Sequence, residues 1–451
     1  MPFFGNKKLI ILAFILILVI SVVPQISFGY GFKGNAAQDY GAIDISMHLN
    51  GAVLLKNYSG NMTVMVTFKL RNETYLQNYL GNISDPGSHY FHRYINRSEF
   101  TDLFGPSKVF YNRATDYLCG FNLSGMEIFQ DRVSIVITAP ARTIASIFNS
   151  DIGLYESDGR IFYSIENQPS LPRWMAQNVS YISGLDNFTE NVAYMHSNMY
   201  NSPERENTVP LDGYPAPVNI GNAQYIYGSD LQVAYDEQTL LNMTYPANEV
   251  VATILWSGQY NGPDTSTPYG YLINGTLLGP FDPADIYAYY NYTLPSWEHH
   301  PKVTAVPLDG APGPGPLASY DTSGAVGENT LDLEMVGSTA PGATIFNVYT
   351  PATNENVDQS LAFILNPNSS YPQLNDVKVI SNSWGGPEYN DTAWYEYLQE
   401  AQARGISVLA SSGDSGDNPG SSMYVQSNYP GDWLEFPSSM AYNNFGVTAV
   451  G

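Results

Sequence analysis

Apolar residues follow two different patterns along the chain, and the change between them divides it. Between about residues 40 and 165, alternating stretches at 63–70 and 132–138 predict strands, while the segments 109–118 and 142–148 predict helices. Strands and helices of this size that alternate along the chain predict an open ferredoxin-like sheet with helices on one face.

Farther along the chain, the strand-like stretches become almost continuously apolar. Four of them predict buried strands, at residues 249–256, 344–349, 377–381 and 406–410. Helical patterns at residues 357–365 and 392–404 lie between the later strands. Runs without polar alternation are typical of parallel strands that are covered on both faces. We therefore predict an α/β domain, a parallel sheet with helices on both faces, whose functional residues lie where strands end.

Two stretches break this regular order. Residues 166 to about 220 are rich in Pro, Asn, Ser and Gly, which predicts an exposed connection between domains. That connection is either a simple tether or a site of activation cleavage. Residues 257 to about 301 are rich in Gly, Tyr and Pro and predict a long insertion.

Residues 327–345 contain the first candidate chemistry. Their apolar positions predict a short buried helix that leads into a strand: Leu331, Leu333, Met335 and Val336. Glu328 and Asp332 lie four residues apart, so their carboxyls would share one helix face. Such a pair can share a proton, as a general base and its orienting partner do, or can belong to a solvated helix face.

Two loops follow predicted strands. In the segment from Ser383 through Trp384 to Gly385, glycine permits backbone conformations that a side chain forbids, so a peptide could lie along it with Trp384 as a wall. The alternative is a tight turn around a buried Trp. Asp414 lies between Gly413 and Gly416 and is either an exposed acid on a sharp turn or a turn-forming Asp.

Composition restricts the function classes. The 451-residue chain, long enough for two or more domains, has a formal net charge of -24 and a pI near 4.4, which argues against nucleic acid as a partner and against a basic membrane-binding face. Only 13% of residues are charged, as expected for a protein that works in acid, where protonated carboxylates no longer form salt bridges. Cys119 is the only cysteine, which excludes an internal disulfide and a Cys-based metal site.

The N-terminus predicts export. Lys7 and Lys8 precede an apolar run at residues 9–23, and residues 27–29 offer a small-x-small cleavage site. Contact with a membrane is expected only through this segment, if it stays uncleaved. We expect an extracellular, glycosylated protein, either released or attached to the cell surface, since sequons are frequent: Asn57, Asn61, Asn72, Asn82, Asn96, Asn122, Asn178, Asn187, Asn242, Asn274, Asn291, Asn368 and Asn390.

Several motifs occur in an order that resembles the sedolisin family of serine-carboxyl peptidases. In the C-terminal part they are Glu328-x-x-x-Asp332, Ser383-Trp-Gly-Gly-Pro-Glu388, Ser412-Gly-Asp-Ser-Gly416, Phe436-Pro-Ser-Ser439 and Val447-Thr-Ala-Val-Gly451. In the N-terminal part, similar to the family's activation propeptide, they are Leu70-Arg-Asn72, Ser84-Asp-Pro86, Phe100-Thr-Asp-Leu-Phe-Gly-Pro-Ser107 and Ser170-Leu-Pro172. The resemblance runs from about residue 60 to the end.

The resemblance implies a subtilisin-like fold and an acid-active endopeptidase with polypeptide substrates. Glu328 would be the general base, Asp332 its orienting partner and Asp414 the protonated acid of the oxyanion hole. The segment Ser383, Trp384 and Gly385 would bind the substrate backbone. The predicted organisation is a signal peptide at 1–29, an activation propeptide and intramolecular inhibitor at 40–190, a linker at 191–220 and a catalytic domain at 221–451.

The sequence departs from the family in one respect. The family's nucleophile is a Ser in a Ser-Gly-Thr-Ser segment downstream of Val-Gly-Gly-Thr, and no residue here matches it, neither Ser415 nor Ser438. The family's calcium site is likewise expected beyond Gly451. We expect either part of a larger peptidase reading frame or a relative that keeps the fold and binds without catalysis, with the insertion as a contact surface. A His-dependent subtilisin is a weaker alternative, because His299 and His300 precede the catalytic helix.

Overall fold

The computed structural model describes the following residues, and the predicted signal peptide at 1–29 lies outside them: 39–45, 47, 49–157, 159–188, 192–193, 218–220, 223–225, 227–243, 248–261, 275–294, 299–317, 321–353, 356–387, 391–413, 435–444 and 446–451. None of the helices in these ranges has the length and apolar character needed to cross a membrane.

The N-terminal region, here residues 40–188, contains nine strands and five helices among its described residues. In chain order they are β1 (Tyr40–Ala42), β2 (Val53–Asn57), β3 (Asn61–Phe68), α1 (Glu73–Ser84), α2 (Arg97–Leu103), α3 (Lys108–Cys119), β4 (Gly125–Ile128), β5 (Ser134–Pro140), α4 (Ala141–Phe148), β6 (Ile152–Ser157), β7 (Arg160–Ile165), β8 (Ser170–Pro172), α5 (Arg173–Ala176) and β9 (Val179–Ser183). A two-residue strand, β10 (Val192–Ala193), follows.

The main sheet of the N-terminal region is antiparallel in the order β4-β5-β3-β9. Counted along the chain within this sheet, β3 is the first strand, β4 the second, β5 the third and β9 the fourth. The first and third strands are central and the second and fourth are at the edges, which is the strand order of a ferredoxin-like sheet. Val64 and Val66 of β3 pack with α3 and α4 on one face, whereas Met65 between them faces the opposite side. The predicted sheet is confirmed, with α3 and α4 on one of its faces, whereas α1 and α2 pack with Ala403 farther along the chain.

The C-terminal region, here residues 218–451, contains the rest of the elements. They are β11 (Val218–Ile220), β12 (Ala223–Tyr225), α6 (Gly228–Ala234), α7 (Glu237–Met243), β13 (Val250–Trp256), β14 (Gln259–Tyr260), β15 (Thr276–Leu277), α8 (Pro283–Thr293), β16 (Lys302–Pro307), α9 (Ala325–Thr339), β17 (Thr344–Thr350), α10 (Val357–Leu365), β18 (Val377–Asn382), β19 (Trp384–Pro387), α11 (Thr392–Ala403), β20 (Ser407–Ser411), β21 (Glu435–Phe436) and β22 (Val447–Val450).

Six of these strands form a parallel sheet in the order β16-β17-β13-β18-β20-β22. Successive residues of β17 point to opposite faces: Ile345 packs with α8 and α9, whereas Phe346 and Val348 belong to the core that contains α10 and α11. The sheet is therefore covered by helices on both faces. The predicted α/β fold class is confirmed.

The prediction of an irregular connection from residue 166 was wrong, and the predicted insertion contains a helix that the sequence analysis missed. Within the supposed connection that begins at residue 166, residues 170–183 form β8, α5 and β9, and β9 supplies an outer strand of the N-terminal sheet. Within the predicted insertion, Asp282 caps the N-terminus of α8, and Ile286 and Tyr290 are buried on the inner face of this helix. The sequence analysis missed this helix because of its Tyr residues. The ring of a Tyr packs like an apolar side chain, although its hydroxyl makes the residue count as polar in a sequence pattern.

The free face of the N-terminal sheet packs on α10 and α11, where Met65 and Val136 join the same apolar core as Leu361 and Trp394. Polar side chains cross this contact, here called the docking interface. Its hydrogen bonds run from Ser180 Oγ to Glu396 Oε1 (2.8 Å), from the Leu70 amide to Glu396 Oε2 (3.2 Å), from Tyr397 Oη to Ser134 Oγ (2.7 Å) and from Asn366 Nδ2 to Asp131 Oδ2 (2.6 Å).

Candidate active site

The start of α9 is fixed by a carboxylate that the sequence analysis did not single out. Asp321 accepts hydrogen bonds from the amides of Gln259 (3.0 Å), Ser323 (3.0 Å) and Val326 (2.9 Å), and from the Ser323 hydroxyl (2.7 Å). Gly324 then adopts the left-handed conformation (φ 78°) before the helix begins. Amide donors at a helix start lack partners within the helix, so this acid holds α9 in position.

Glu328 and Asp332 both lie on the buried face of α9, with 3% and 7% of their surfaces exposed. The alternative of a solvated helix face is therefore wrong for this pair. The helix is also longer than the short one predicted, and Leu331, expected to be buried, is 40% exposed. The reason is geometric: the two carboxyls occupy the inward face, and a residue one position before Asp332 turns away from it.

Ser383, which lies between β18 and β19, is the polar neighbour of this pair. Its hydroxyl donates a hydrogen bond of 2.5 Å to Asp332 Oδ1. Burial raises the pKa of Asp332 to about 7, and the Ser383 hydrogen bond opposes this rise. The structure thus brings together Glu328 and Asp332 from one helix and Ser383 from a loop about 50 residues later, three of the predicted site residues.

A buried amide network anchors α9 to the sheet next to these carboxyls. Asn329 Nδ2 donates to the carbonyl oxygen of Trp256 at the end of β13 (2.9 Å), and Asn329 Oδ1 accepts from Asn347 Nδ2 of β17 (2.7 Å). Both asparagines are fully buried. Sequence reasoning missed them, although Asn at the centre of the apolar run 344–349 is the signal that could have identified Asn347.

The side chain of Trp384 does not line a cleft. It is fully buried and packs edge-on or tilted against Trp256, Trp394 and Phe436. The interpretation of this ring as a wall for a peptide is therefore wrong, since its apolar surface is used in the core. Its backbone nevertheless lies in a strand, β19, that continues directly from Ser383.

The chain's own β10 occupies one edge of β19. The two strands pair antiparallel, with Val192 opposite Gly385 and Ala193 opposite Trp384. The other end of β19 pairs with β21, where Gly386 lies opposite Phe436. The predicted substrate-backbone segment thus accepts an extended peptide strand, and that strand is a piece of this chain that immediately follows the N-terminal region.

The remaining predicted site residue, Asp414, lies outside the described residues. Its neighbour Gly413 adopts φ 90°, and a Cβ at this position would clash with the carboxylate of Glu435. Burial raises the pKa of Glu435 to about 7. Glu435, like Asp332, is thus an acidic side chain whose pKa is raised by burial, and sequence reasoning had not considered it.

The described residues include no group of three or more His, Cys, Asp or Glu side chains that could hold a metal ion. They therefore offer no fit for the calcium that the family resemblance implies. His299, His300 and Cys119 are exposed. The ionisable side chains that the described residues bring together at the site are thus carboxyls.

Comparison with known proteins agrees with these motifs. Residues 52–188 match the family described as Pro-kumamolisin, activation domain. The chain is 26% identical to xanthomonalisin of Xanthomonas sp. (strain T-22) over 364 residues, which is 78% of this chain and 39% of the relative. It is 33% identical to kumamolisin of Bacillus sp. (strain MN-32) over 125 residues, 27% of this chain and 21% of the relative.

Sedolisin of Pseudomonas sp. (strain 101) is 23% identical over 141 residues, 31% of this chain and 24% of the relative. The chain thus spans less than two fifths of the length of each of these relatives. A solved structure of Pseudomonas sedolisin, a serine-carboxyl proteinase complexed with two molecules of pseudo-iodotyrostatin, overlaps 50% of this chain and 53% of its own at 19% identity and a TM-score of 0.32. That overlap is too small to support the fold, which rests on the strand order given above.

The N-terminal region matches the activation domain, and the three relatives are peptidases similar to this chain. Both findings agree with the order of motifs along the sequence. Residues 52–188 therefore match the pro-kumamolisin activation domain, and the chain is similar to peptidases of the sedolisin family.

Proposed function

We propose that this chain belongs to the precursor of an exported, acid-active serine-carboxyl endopeptidase that hydrolyses peptide bonds in polypeptide substrates. In this proposal Glu328 is the general base, Asp332 orients it, Asp414 donates a hydrogen bond to the oxyanion, and the backbone of residues 383–385 binds the substrate. Residues 1–29 are the signal peptide, 40–190 the activation propeptide, 191–220 the linker and 221–451 the catalytic part.

The observation that carries the proposal is the pairing of β10 with β19 beside Ser383 and Asp332. A peptidase substrate binds as an extended strand on an exposed strand edge, because main-chain hydrogen bonds recognise any sequence. Val192 and Ala193 lie on that edge, within the proposed linker. A propeptide that inhibits the enzyme it precedes would hold its own chain there until it is cleaved.

The chemistry of the carboxyl pair fits a reaction in acid. With its pKa raised to about 7 by burial, Asp332 stays protonated at pH 4, which leaves Glu328 as the member of the pair that can take a proton from a nucleophile. Asp332 Oδ2 is buried and has no hydrogen-bond partner among the described residues, so this oxygen can carry the proton that Asp332 retains. A His base would be protonated and inactive under these conditions.

The proposed reaction needs a serine nucleophile, and the family likeness places it in a Ser-Gly-Thr-Ser segment. None of the proposed steps involves calcium, for which the described residues offer no site. Reading the coding DNA beyond the codon for Gly451 tests this part of the proposal. A frame that continues into such a segment supports the peptidase, and a stop codon at that point would favour a protein that binds without catalysis.

The direct test is Glu328→Ala in the protein expressed from the complete reading frame. We expect self-processing at about pH 4 to fall by at least about 10²-fold, because a general base contributes 10²–10⁴-fold, while the folded structure persists. Glu334→Ala on the same helix is the matched control and should process normally. Normal maturation of the Glu328 variant would remove this residue from the mechanism.

A further inference from the structure

A cleft of about 620 Å³ opens between the N-terminal and C-terminal regions, away from the Glu328 site. The N-terminal region contributes Arg97 and Arg132 to its lining, and the C-terminal region contributes Lys378 and Arg404. Four of the 18 Lys and Arg residues of a chain with 42 acidic residues therefore converge on one cleft. Among the described residues, Asp102 is the one acidic side chain that lines it.

The negative charges near this cleft do not neutralise it. The Asp102 side chain is 77% exposed and lies 3.9 Å from Arg132 Nη2, a contact that water screens. Glu400 lies behind the cleft and accepts a hydrogen bond from Arg404 Nη1 (2.7 Å). Asp131, also buried, shares a hydrogen bond with Glu400, and burial raises the pKa of both carboxyls, so the pair holds a proton at acid pH.

The four cations differ in how they are held. Arg132 donates to the carbonyl oxygens of Pro106 (2.7 Å) and Thr101 (2.9 Å), and Arg404 Nη1 donates to that of Leu365 (2.8 Å), so these two are fixed in place. Arg97 donates from Nη2 to Gln130 Oε1 (2.8 Å), but its Nη1 is buried and has no hydrogen-bond partner among the described residues.

Like charges face one another across the cleft. Arg97 lies close enough to Arg404 for their repulsion to lower the pKa of Arg97, after the larger effect of burial. An unpartnered guanidinium nitrogen next to a second guanidinium is unfavourable unless an anion lies between them. Lys378, on the exposed side of β18, supplies an ammonium group to the lining.

We propose that this cleft binds a tetrahedral divalent oxyanion of the sulfate or phosphate class, contacted by Arg97 of the activation domain and by Arg404 and Lys378 of the catalytic part. Guanidinium groups suit such an anion because their paired N–H donors match its oxygens. The anion joins the two regions, so it stabilises the uncleaved precursor. Removal of the activation domain takes away Arg97 and Arg132 and abolishes the site.

The test is calorimetric titration of the 451-residue chain with sodium sulfate at pH 5, at constant ionic strength set with sodium chloride. We expect one sulfate per chain, and a dissociation constant at least tenfold higher in Arg97→Gln/Lys378→Gln. The matched control, Arg142→Gln/Lys302→Gln, removes one exposed charge from each region outside the cleft and should bind as the unchanged chain does. Phosphate should bind more tightly at pH 7.5 than at pH 5, as its second charge develops.

Equal sulfate binding by the cleft variant and the control variant, or no saturable binding by the unchanged chain, would overturn the proposal. Sulfate also stabilises proteins by exclusion from their surfaces, which is why direct binding, and not melting temperature alone, is measured. If the double variant does not fold, the sulfate dissociation constant of Lys378→Gln alone tests the proposal. This exposed side chain has no packing role, and its loss should still weaken binding several-fold.

Discussion

Two of the contacts that the activation domain and the segment after it make with the C-terminal region differ in size and chemistry. At β19 the contact consists of two residues, Val192 and Ala193, paired through the backbone. At the docking interface, a whole sheet face packs on α10 and α11 and buries the carboxyls of Asp131, Glu396 and Glu400. Residues that hold the activation domain are therefore distinct from those that cover the site.

The small contact at β19 and the large docking interface should separate at different stages as the precursor matures. A two-residue backbone pair is easily separated, because it contributes few hydrogen bonds, each worth about 1 kcal/mol net. The docking interface stays closed in acid, since burial favours the protonated form of Glu396, and Asp131 and Glu400 hold a proton between them. We expect cleavage at the small contact to precede separation at the large one.

The largest effect should come from breaking the docking interface at Glu400. Glu400→Ala leaves Arg404 buried without its partner and removes the hydrogen bond to Asp131. Loss of one member of a buried ion pair costs about 3–5 kcal/mol. Urea denaturation should show this loss of unfolding free energy, and Glu400→Gln should lose less because its amide can still accept a hydrogen bond. An unchanged midpoint for Glu400→Ala would contradict the role given to this residue.

The next effect concerns pH. Burial raises the pKa of Glu396 from 4.5 to about 7, against the hydrogen bonds from Ser180 and Leu70 that lower it. A carboxyl whose pKa is raised by folding stabilises the protein fully below its unfolded pKa, and this contribution, at most about 3 kcal/mol, is lost as pH rises through 7. The melting temperature should therefore fall between pH 5 and pH 8.

Glu396→Gln sharpens this prediction, because it removes the titrating group. Its melting temperature should stay near that of the unchanged chain at pH 4.5 and exceed it at pH 8. The exposed Glu249 offers a control, and Glu249→Gln should leave the pH profile as it is. A protein that is most stable near neutral pH and unfolds by about pH 4 would contradict both this prediction and the acidic setting inferred from composition.

The smallest effect should come from the site itself. Ser383→Ala removes the hydrogen bond to Asp332, which costs about 1 kcal/mol of stability and raises the pKa of Asp332 further, since that hydrogen bond lowers it. Carboxyl ¹³C NMR titration measures the change in pKa. Ser381→Ala, on the neighbouring strand, is the control, and an identical Asp332 titration in both variants would exclude the predicted contact.

Much of the fold could be predicted because apolar periodicity is local. The predicted strand at 249–256 is observed as β13 (Val250–Trp256) and the predicted helix at 357–365 as α10. Apolar periodicity did not predict elements in which polar side chains are buried among apolar ones. Tyr290 of α8 buries its ring and donates its hydroxyl proton to the carbonyl oxygen of Leu333 at 2.5 Å, which no local pattern signals.

The site was predictable only in part, for a related reason. Glu328 and Asp332 are four residues apart, so helix geometry alone places their carboxyls on one face. The contact of β10 with β19 joins residues that are almost 200 positions apart, and a two-residue strand leaves no periodic signal. Nor does any pattern indicate that the Trp384 ring would be taken up by the core, since burial depends on the neighbours that folding supplies.

The central claim is that Val192 and Ala193 occupy the substrate edge of β19. Amide hydrogen exchange in the intact chain tests it most directly, by comparison with Val192→Pro/Ala193→Pro, in which the segment lacks both amide donors and is disfavoured as a paired strand. Because neighbouring amides of a strand point to opposite edges, we predict at least tenfold faster exchange in the variant at the one of the Trp384 and Gly385 amides that points to β10, with the other amide nearly unchanged. Equal exchange at Trp384 and Gly385 in the two proteins would contradict the claim.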